Sequence, residues 1–239
     1  MTNELKLLPI ISEMKLKIDN WDVLTDRTGV KYVELLAPRI ELDPKQRLLN
    51  FGVRKTPQKY IESELIWYDS EDLSVKYISE HARMWSDISS EKGYVNSNYG
   101  YLVYSDENYS QFENVLTELI ANKDSRRGLM IYIRPSMWND YKVDGMNDFI
   151  CTLGVQYMIR NDELISIVNM RSNDIIYGFF NDYYWQATVH GRMYNALKTN
   201  GYDNLKYGKL IWVANSLHVY EKHFKLIQGM YKFLVEKEE

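Results

Sequence analysis

The chain has one cysteine, Cys151, in 239 residues. A disulfide within the chain is excluded, and so is a thiolate metal cluster built by one chain. With five prolines and 12 glycines, no linker, repeat or low-complexity stretch interrupts it. A basic excess is also missing: 29 Lys and Arg stand against 33 Asp and Glu, a net charge of −4. No nucleic-acid partner is therefore expected. No apolar run approaches the ~20 residues that span a bilayer, so no membrane partner is expected either. The first residues, MTNELKLLPIISEMKLKI, mix charge into their apolar run and do not read as a signal peptide, which makes the cytoplasm the expected location. Neither GxxxxGK[ST] nor a GxGxxG after a strand occurs, so ATP- and NAD-dependent chemistry lacks its usual support. The four histidines offer no close ligand set. His218 and His223, five apart, read as a helix face, and no metal is expected.

What is present is ordinary core material: 45% apolar residues, with 20 Tyr and 6 Trp. Apolar periodicity predicts helices over 58–70, with Ile61, Leu65 and Tyr68 on one stripe, and over 109–122, with Phe112, Val115, Leu116, Leu119 and Ile120. Further helices are expected over 182–198 and over 219–235, the last with Tyr220, Phe224, Ile227, Tyr231 and Leu234 inward. Strand-like runs lie at 31–36, 128–134, 153–160, 163–171 and 208–214. The third and fourth join through Asn161-Asp162, a hairpin signal. Helices interleaved with strands and a hairpin give a mixed α/β (α+β) fold in one domain, 1–239.

Cys151 closes a loop just before a strand. Alone, it reads either as a small buried hydrophobe or as a nucleophile needing positive charge or a base nearby. Arginines occur in three short polar motifs: DRTG at 26–29, SRR at 125–127 and RSND at 171–174. Each sets Arg beside hydroxyl or Gly neighbours, a grouping suited to bidentate phosphate contacts. Glu64, mid-helix in SELIW, reads as either a solvated helix face or a functional acid. Asp182 reads as a helix N-cap. Tyr99, Tyr220, Trp85 and Trp212, taken singly, read as packing.

In order, DRTGVK (26–31), SELIWY (63–68), GYVNSNYG (93–100), DSRRGLMIYIRPSM (124–137), DGMNDFICT (144–152), VNMRSNDIIYGFFNDYYWQ (168–186) and LIWVANSLHVY (210–220) resemble the thymidylate synthase family. Within it they resemble the branch of phage-type deoxycytidylate (dCMP) hydroxymethylases. The resemblance spans most of the chain. It implies a homodimeric α/β fold with large sheets back to back. Residue by residue, it makes Cys151 the nucleophile and Arg27, Arg171 and Ser172 the phosphate ligands of the same chain. Arg126 and Arg127 become a pair donated by the partner subunit. His218 and Tyr220 would hold the sugar 3′-hydroxyl. Glu64 would order water near the base, and Tyr99 would assist loss of the C5 proton. Trp85, Asp174 and Gly178 fall on the folate side.

The implied chemistry is addition of the Cys151 thiolate at C6, which turns C5 into a nucleophile towards the one-carbon unit of the co-substrate 5,10-methylenetetrahydrofolate. A synthase then reduces the resulting methylene with hydride. A hydroxymethylase adds water and expels the cysteine, giving 5-hydroxymethyl-dCMP for a modified phage genome. The arginines' positive field is expected to favour thiolate. Synthases have Asn where Asp182 stands. A carboxylate accepts from the cytosine amino group, and a protonated carboxyl can donate to N3, so dCMP is expected over dUMP.

Two departures point away from reduction. The nucleophile is followed by Thr152 and preceded by Ile150, where synthases have His and Pro. The sequence also ends VEKEE, without the apolar tail that synthases close over folate. A C5 methylase acting on dUMP or dCMP, a ribonucleotide (CMP) hydroxymethylase and an inactive nucleotide-binding paralogue are the alternatives.

Overall fold

The computed structural model describes residues 1–238. Its helices are α1 (Asn3–Lys6), α2 (Leu8–Asp19), α3 (Gln58–Asp69), α4 (Met84–Ile88), α5 (Tyr99–Tyr104), α6 (Gln111–Ala121), α7 (Met137–Asp140), α8 (Gly178–Thr199) and α9 (Phe224–Glu238). Its strands are β1 (Leu24–Thr25), β2 (Lys31–Leu36), β3 (Arg39–Leu42), β4 (Leu129–Ile131), β5 (Thr152–Arg160), β6 (Glu163–Met170), β7 (Asn173–Asp174), β8 (Lys206–Ala214) and β9 (Ser216–Tyr220). They form two mixed sheets, ordered β1-β2-β9-β7 and β3-β8-β6-β5-β4. The chain passes from the larger sheet to the smaller at Asn215, whose N–H donates to the Met170 carbonyl and whose own carbonyl accepts from Ala37. The expected mixed α/β class is the one observed.

The β5–β6 hairpin turns on Asn161 and Asp162, both at positive φ (53° and 57°). That is the two-residue primed turn whose twist suits flanking strands. Alternation along β5 and β6 sends Val155, Tyr157, Ile159, Leu164 and Val168 into the core. The other face carries Leu129, Ile131, Met158, Ile165, Ile167 and Val213 in register across four strands, each partly or largely exposed. A sheet buried on one side only shows this in/out alternation.

Several sequence expectations are corrected. The long helix α8 begins at Gly178, four residues earlier than 182. Asp182 therefore sits in its second turn and is no N-cap. In α3 the buried face is Ile61, Ser63, Glu64, Trp67 and Tyr68, so Glu64 is buried and Leu65 only partly so. Ile120, expected inward, is 39% exposed in the last turn of α6. The last helix starts at Phe224, not 219, because Ser216–Tyr220 pairs in register with β2. His218 thus lies in a strand and His223 in a 3₁₀ turn, not on one helix face. Helix α2 and strands β1, β3, β7 and β9 were not anticipated.

Candidate active site

Cys151 is positioned by the end of β5. Its carbonyl accepts from Arg171 N–H at 2.8 Å, which extends the β5–β6 ladder by one step past Thr152 and Met170. The register shifts between Thr152 and Gly154, a bulge of the kind that re-aims side chains beside active sites. The same pairing brings the Arg171 guanidinium to the sulfur, with Nη2 3.4 Å from Sγ. Arg171 is held in turn by the carbonyls of Phe149 (2.6 Å) and Ile150 (2.9 Å), and it lies over the Phe149 ring.

The loop leading to Cys151 is fastened at Asp148. Its carboxylate accepts from Asn96 N–H (2.7 Å), Ser97 N–H (2.8 Å) and the Ser97 hydroxyl (2.6 Å). On the loop's outer side, Asn147 Oδ1 accepts from Arg27 Nη2 at 3.4 Å. Arg27 occupies the tip of the β1–β2 hairpin. There Asp26 accepts from the N–H of Thr28 and Val30 and from the Thr28 hydroxyl, while Gly29 supplies φ +83°. Arg27 and Arg171 thus grip the same short segment, and Ser172 follows Arg171 directly.

Asp182 and Glu64 come from different helices. Asp182 Oδ2 accepts from Asn173 Nδ2 at 2.7 Å, and no protein group among the described residues bonds Oδ1. Gly178 leaves room beside this contact. A β-carbon there would stand 3.1 Å from Asn173 Nδ2 and 3.3 Å from Asp182 Oδ2. Burial pushes the Asp182 carboxyl up to about 7, against the Asn173 hydrogen bond. Burial also raises Glu64, to about 8, with the Asp182 charge adding and the Tyr60 and Tyr68 hydroxyls opposing. Tyr60 donates to Glu64 Oε1 at 2.8 Å and accepts from the Trp85 indole at 2.8 Å.

Tyr99 opens α5, which docks on the end of α3 through Gly100; a β-carbon at Gly100 would lie 1.7 Å from the Tyr68 carbonyl oxygen. That close approach stacks Tyr99 on Tyr68, ring centroids 5.5 Å apart. Burial holds the Tyr99 phenol well above its usual range, and the Asp182 and Cys151 charges add to this. His218 and Tyr220 lie side by side on β9, ring centroids 5.2 Å apart. His218 Nδ1 is buried without a partner, and β9 sets His218 beside Asp174 of β7. Asp174 Oδ1 accepts from the N–H of Ile176 (2.7 Å) and Tyr177 (3.3 Å), shaping the entry to α8.

Burial pushes the Cys151 thiol up to about 11; Arg171 pulls it down, but Asp182 and Asp148 reinforce the burial. Within the chain, the Arg171 charge acts towards thiolate as expected, and burial outweighs it.

Cys151, Arg171, Ser172, Tyr99, Asp182, Glu64, Trp85, Asp174, Gly178, His218 and Tyr220 thus form one connected region, with Arg27 on its rim. Arg126 and Arg127 do not join it. Gly128 bonds Tyr157 of β5, so these arginines lie some seven residues along the strand from Cys151, ~20 Å away. Both are exposed, and Arg127 pairs with Glu118 at 3.0 Å. Sequence reasoning missed Tyr60, Asn173 and Asp148. Two of them sit inside the motifs RSND and MNDF, and Tyr60 is one turn from Glu64. Among the described residues no group of three or more His, Cys, Asp or Glu could hold a metal ion, and no helix is long and apolar enough to cross a membrane.

The thymidylate synthase family model matches residues 14–233. The chain is 44% identical over 213 residues to the deoxycytidylate 5-hydroxymethyltransferase of Enterobacteria phage T4, covering 88% of this chain and 85% of that one. It is 45% identical over 208 residues to the enzyme of the same name from phage T2, covering 86% and 82%. Similarity to the thymidylate synthase of Buchnera aphidicola subsp. Acyrthosiphon pisum (strain APS) is 26% over 208 residues, covering 84% and 74%. The ordered motifs, the two mixed sheets and a family match over nearly the whole length lead to one conclusion: the chain belongs to the thymidylate synthase family.

Proposed function

We propose that the chain is a deoxycytidylate 5-hydroxymethyltransferase. It converts dCMP, 5,10-methylenetetrahydrofolate and water to 5-hydroxymethyl-dCMP and tetrahydrofolate. The observation that carries the choice of base is Asp182. It lies within electrostatic reach of Cys151, with Oδ2 held by Asn173 and Oδ1 without a protein partner. Sequestered to a pKa of about 7, it can accept from the cytosine amino group as carboxylate or donate to N3 as acid. Uracil would set O4 lone pairs against the carboxylate.

Arg27, Arg171 and Ser172 anchor the phosphate, and His218 with Tyr220 hold the sugar. This anchoring sets C6 against Cys151 Sγ. The S–C6 bond forms and C5 becomes the nucleophile. The folate supplies the one-carbon unit to C5. Tyr99 assists removal of the C5 proton, the bond between the one-carbon unit and the folate nitrogen breaks so that tetrahydrofolate leaves, and water ordered by Glu64 adds its oxygen to the resulting methylene and gives up a proton. The S–C6 bond then breaks, restoring the C5=C6 bond and the thiol. Trp85, Asp174 and Gly178 line the folate side.

The partner subunit completes the charge. The apolar outer face of the larger sheet, Leu129 and Ile131 through Ile165 and Ile167, suits back-to-back pairing in a C2 dimer. Arg126 stands at its edge, with its carbonyl accepting from Gln156 at 2.7 Å. Arg126 and Arg127 cannot reach their own Cys151 and would reach the partner's. Their charge would add to that of Arg171 and lower a thiol that one subunit leaves high.

The test is one incubation with 5,10-methylenetetrahydrofolate and either dCMP or dUMP, following product mass and dihydrofolate absorbance together. A gain of CH2O on dCMP without dihydrofolate is expected. A gain of CH2 with dihydrofolate would make the chain a methylase and overturn the reading.

A further inference from the structure

Tyr60 is absent from every role assigned above, yet it stands between two residues that have one. Its oxygen lies 2.8 Å from Trp85 Nε1 and 2.8 Å from Glu64 Oε1. An indole N–H can only donate, so the Tyr60 oxygen must accept it. The single phenol proton is then left for Glu64, which fixes the direction of the chain once Glu64 is ionised: Trp85 to Tyr60 to Glu64. Burial, reinforced by the Glu64 charge, holds the Tyr60 phenol far above its usual range, so this proton stays in place.

We propose that Tyr60 is a positioning residue that holds the Glu64 carboxylate in its active form and ties it to the Trp85 indole. This inference rests on the reading that places Glu64 at the water and Trp85 at the folate. Hydrogen bonds in series polarise one another, most of all away from water. A co-substrate ring settling against Trp85 would shift the indole N–H, and the Tyr60 hydroxyl would pass the change to Glu64. The acid that orders the incoming water would thereby be adjusted when the one-carbon donor is in place. The other groups that set Glu64 are Tyr68 on the same helix and Asp182 on α8. Both remain when Tyr60 changes, so its effect is separable.

The experiment is the pH dependence of kcat for Tyr60→Phe, Trp85→Phe and the double variant, with dCMP and 5,10-methylenetetrahydrofolate. Removing the donor destabilises the carboxylate, so the acid limb of Tyr60→Phe should move to higher pH by about one unit. Trp85→Phe keeps a ring for the co-substrate but removes the N–H, and should move the limb the same way by less. The double variant should show no more than the Tyr60→Phe shift, because the links act in series. An unmoved limb in Tyr60→Phe, or additive shifts in the double variant, would overturn the proposal. Should turnover be too slow to follow, infrared titration of the protonated carboxyl, its band identified by Glu64→Gln, reads the same shift in the resting protein. That titration also separates the two claims. A wild-type chain that makes no 5-hydroxymethyl-dCMP, but whose Glu64 band shifts as stated, would fail the reaction and keep the hydrogen-bonded chain.

Discussion

Asp148, buried, and Asp182, partly buried, both lie within electrostatic reach of Cys151, and they are treated in opposite ways. Asp148 has both oxygens engaged, by two backbone N–H groups and a hydroxyl. Asp182 has one oxygen engaged by one amide and the other without a protein partner. Burial raises both carboxyls, but at Asp148 three hydrogen bonds and then Arg171 oppose it. A buried carboxylate with both oxygens tied to one neighbouring loop is a fastening. One with an oxygen to spare, kept half-protonated at neutral pH, is a group waiting for a ligand. The first fastens the loop that carries Cys151; the second is the group proposed to read the base that arrives there.

The largest effect is expected at the fastening. Asp148→Ala strands the Asn96 and Ser97 donors and should cost ~3–5 kcal/mol in denaturant unfolding. With the loop loosened, kcat/KM should fall on the order of 100-fold. The ratio of dCMP to dUMP turnover should hold, and a changed ratio would erase the distinction between the two carboxylates.

Next in size is the thiol between them. In a variant lacking Arg126 and Arg127, where its own chain alone sets the thiol near 11, Cys151 should react with iodoacetamide about a hundredfold more slowly at pH 8 than an unperturbed thiol, with the rate climbing to about pH 11. Arg171→Ala should slow alkylation further. Rapid alkylation at pH 7 in a variant lacking Arg126 and Arg127 would show that one subunit suffices to make thiolate.

The smallest effect concerns stability. The folded-state pKa of Asp182, about 7, lies above its ordinary value of 3.8. The folded protein therefore binds this proton more tightly than the unfolded chain does. Stability from this group is complete below about pH 4 and is lost as pH rises towards 7. Asp182→Asn removes the penalty and keeps an acceptor for Asn173. It should stabilise the protein by ~1–2 kcal/mol at pH 8.5 and by little near pH 4, read as Tm at both values.

Much of this was legible in the sequence, unevenly. Strands 153–160 and 163–171 followed from alternation, and Asn161-Asp162 named its own turn. The 128–134 run shortens to Leu129–Ile131 because the bulge after Thr152 draws both Tyr132 and Ile133 N–H to the Leu153 carbonyl. Helix α2 carries one local signal, Pro9 in its first turn. Strand β9 did not: SLHVY has no periodicity apart from the helix that follows, and only pairing with β2 and β7 decides it. The site residues were found through ordered motifs; their states were not. Nothing local says that Glu64 faces inward, since the stripe Ile61, Leu65, Tyr68 turned the helix by one position. Nor does spacing reveal that Tyr60 and Trp85, 25 residues apart, share a hydrogen bond, or that burial outweighs Arg171 at Cys151. Those are sums over the whole fold.

Asp182 is the group proposed to read cytosine. Paired kcat/KM values for dCMP and dUMP, measured in the wild type and in Asp182→Asn, test it most directly. The account predicts strong preference for dCMP in the wild type and a shift towards dUMP in the variant by a factor of ~100 or more, the scale of a lost and regained hydrogen-bond pattern. The same discrimination in both proteins would contradict it.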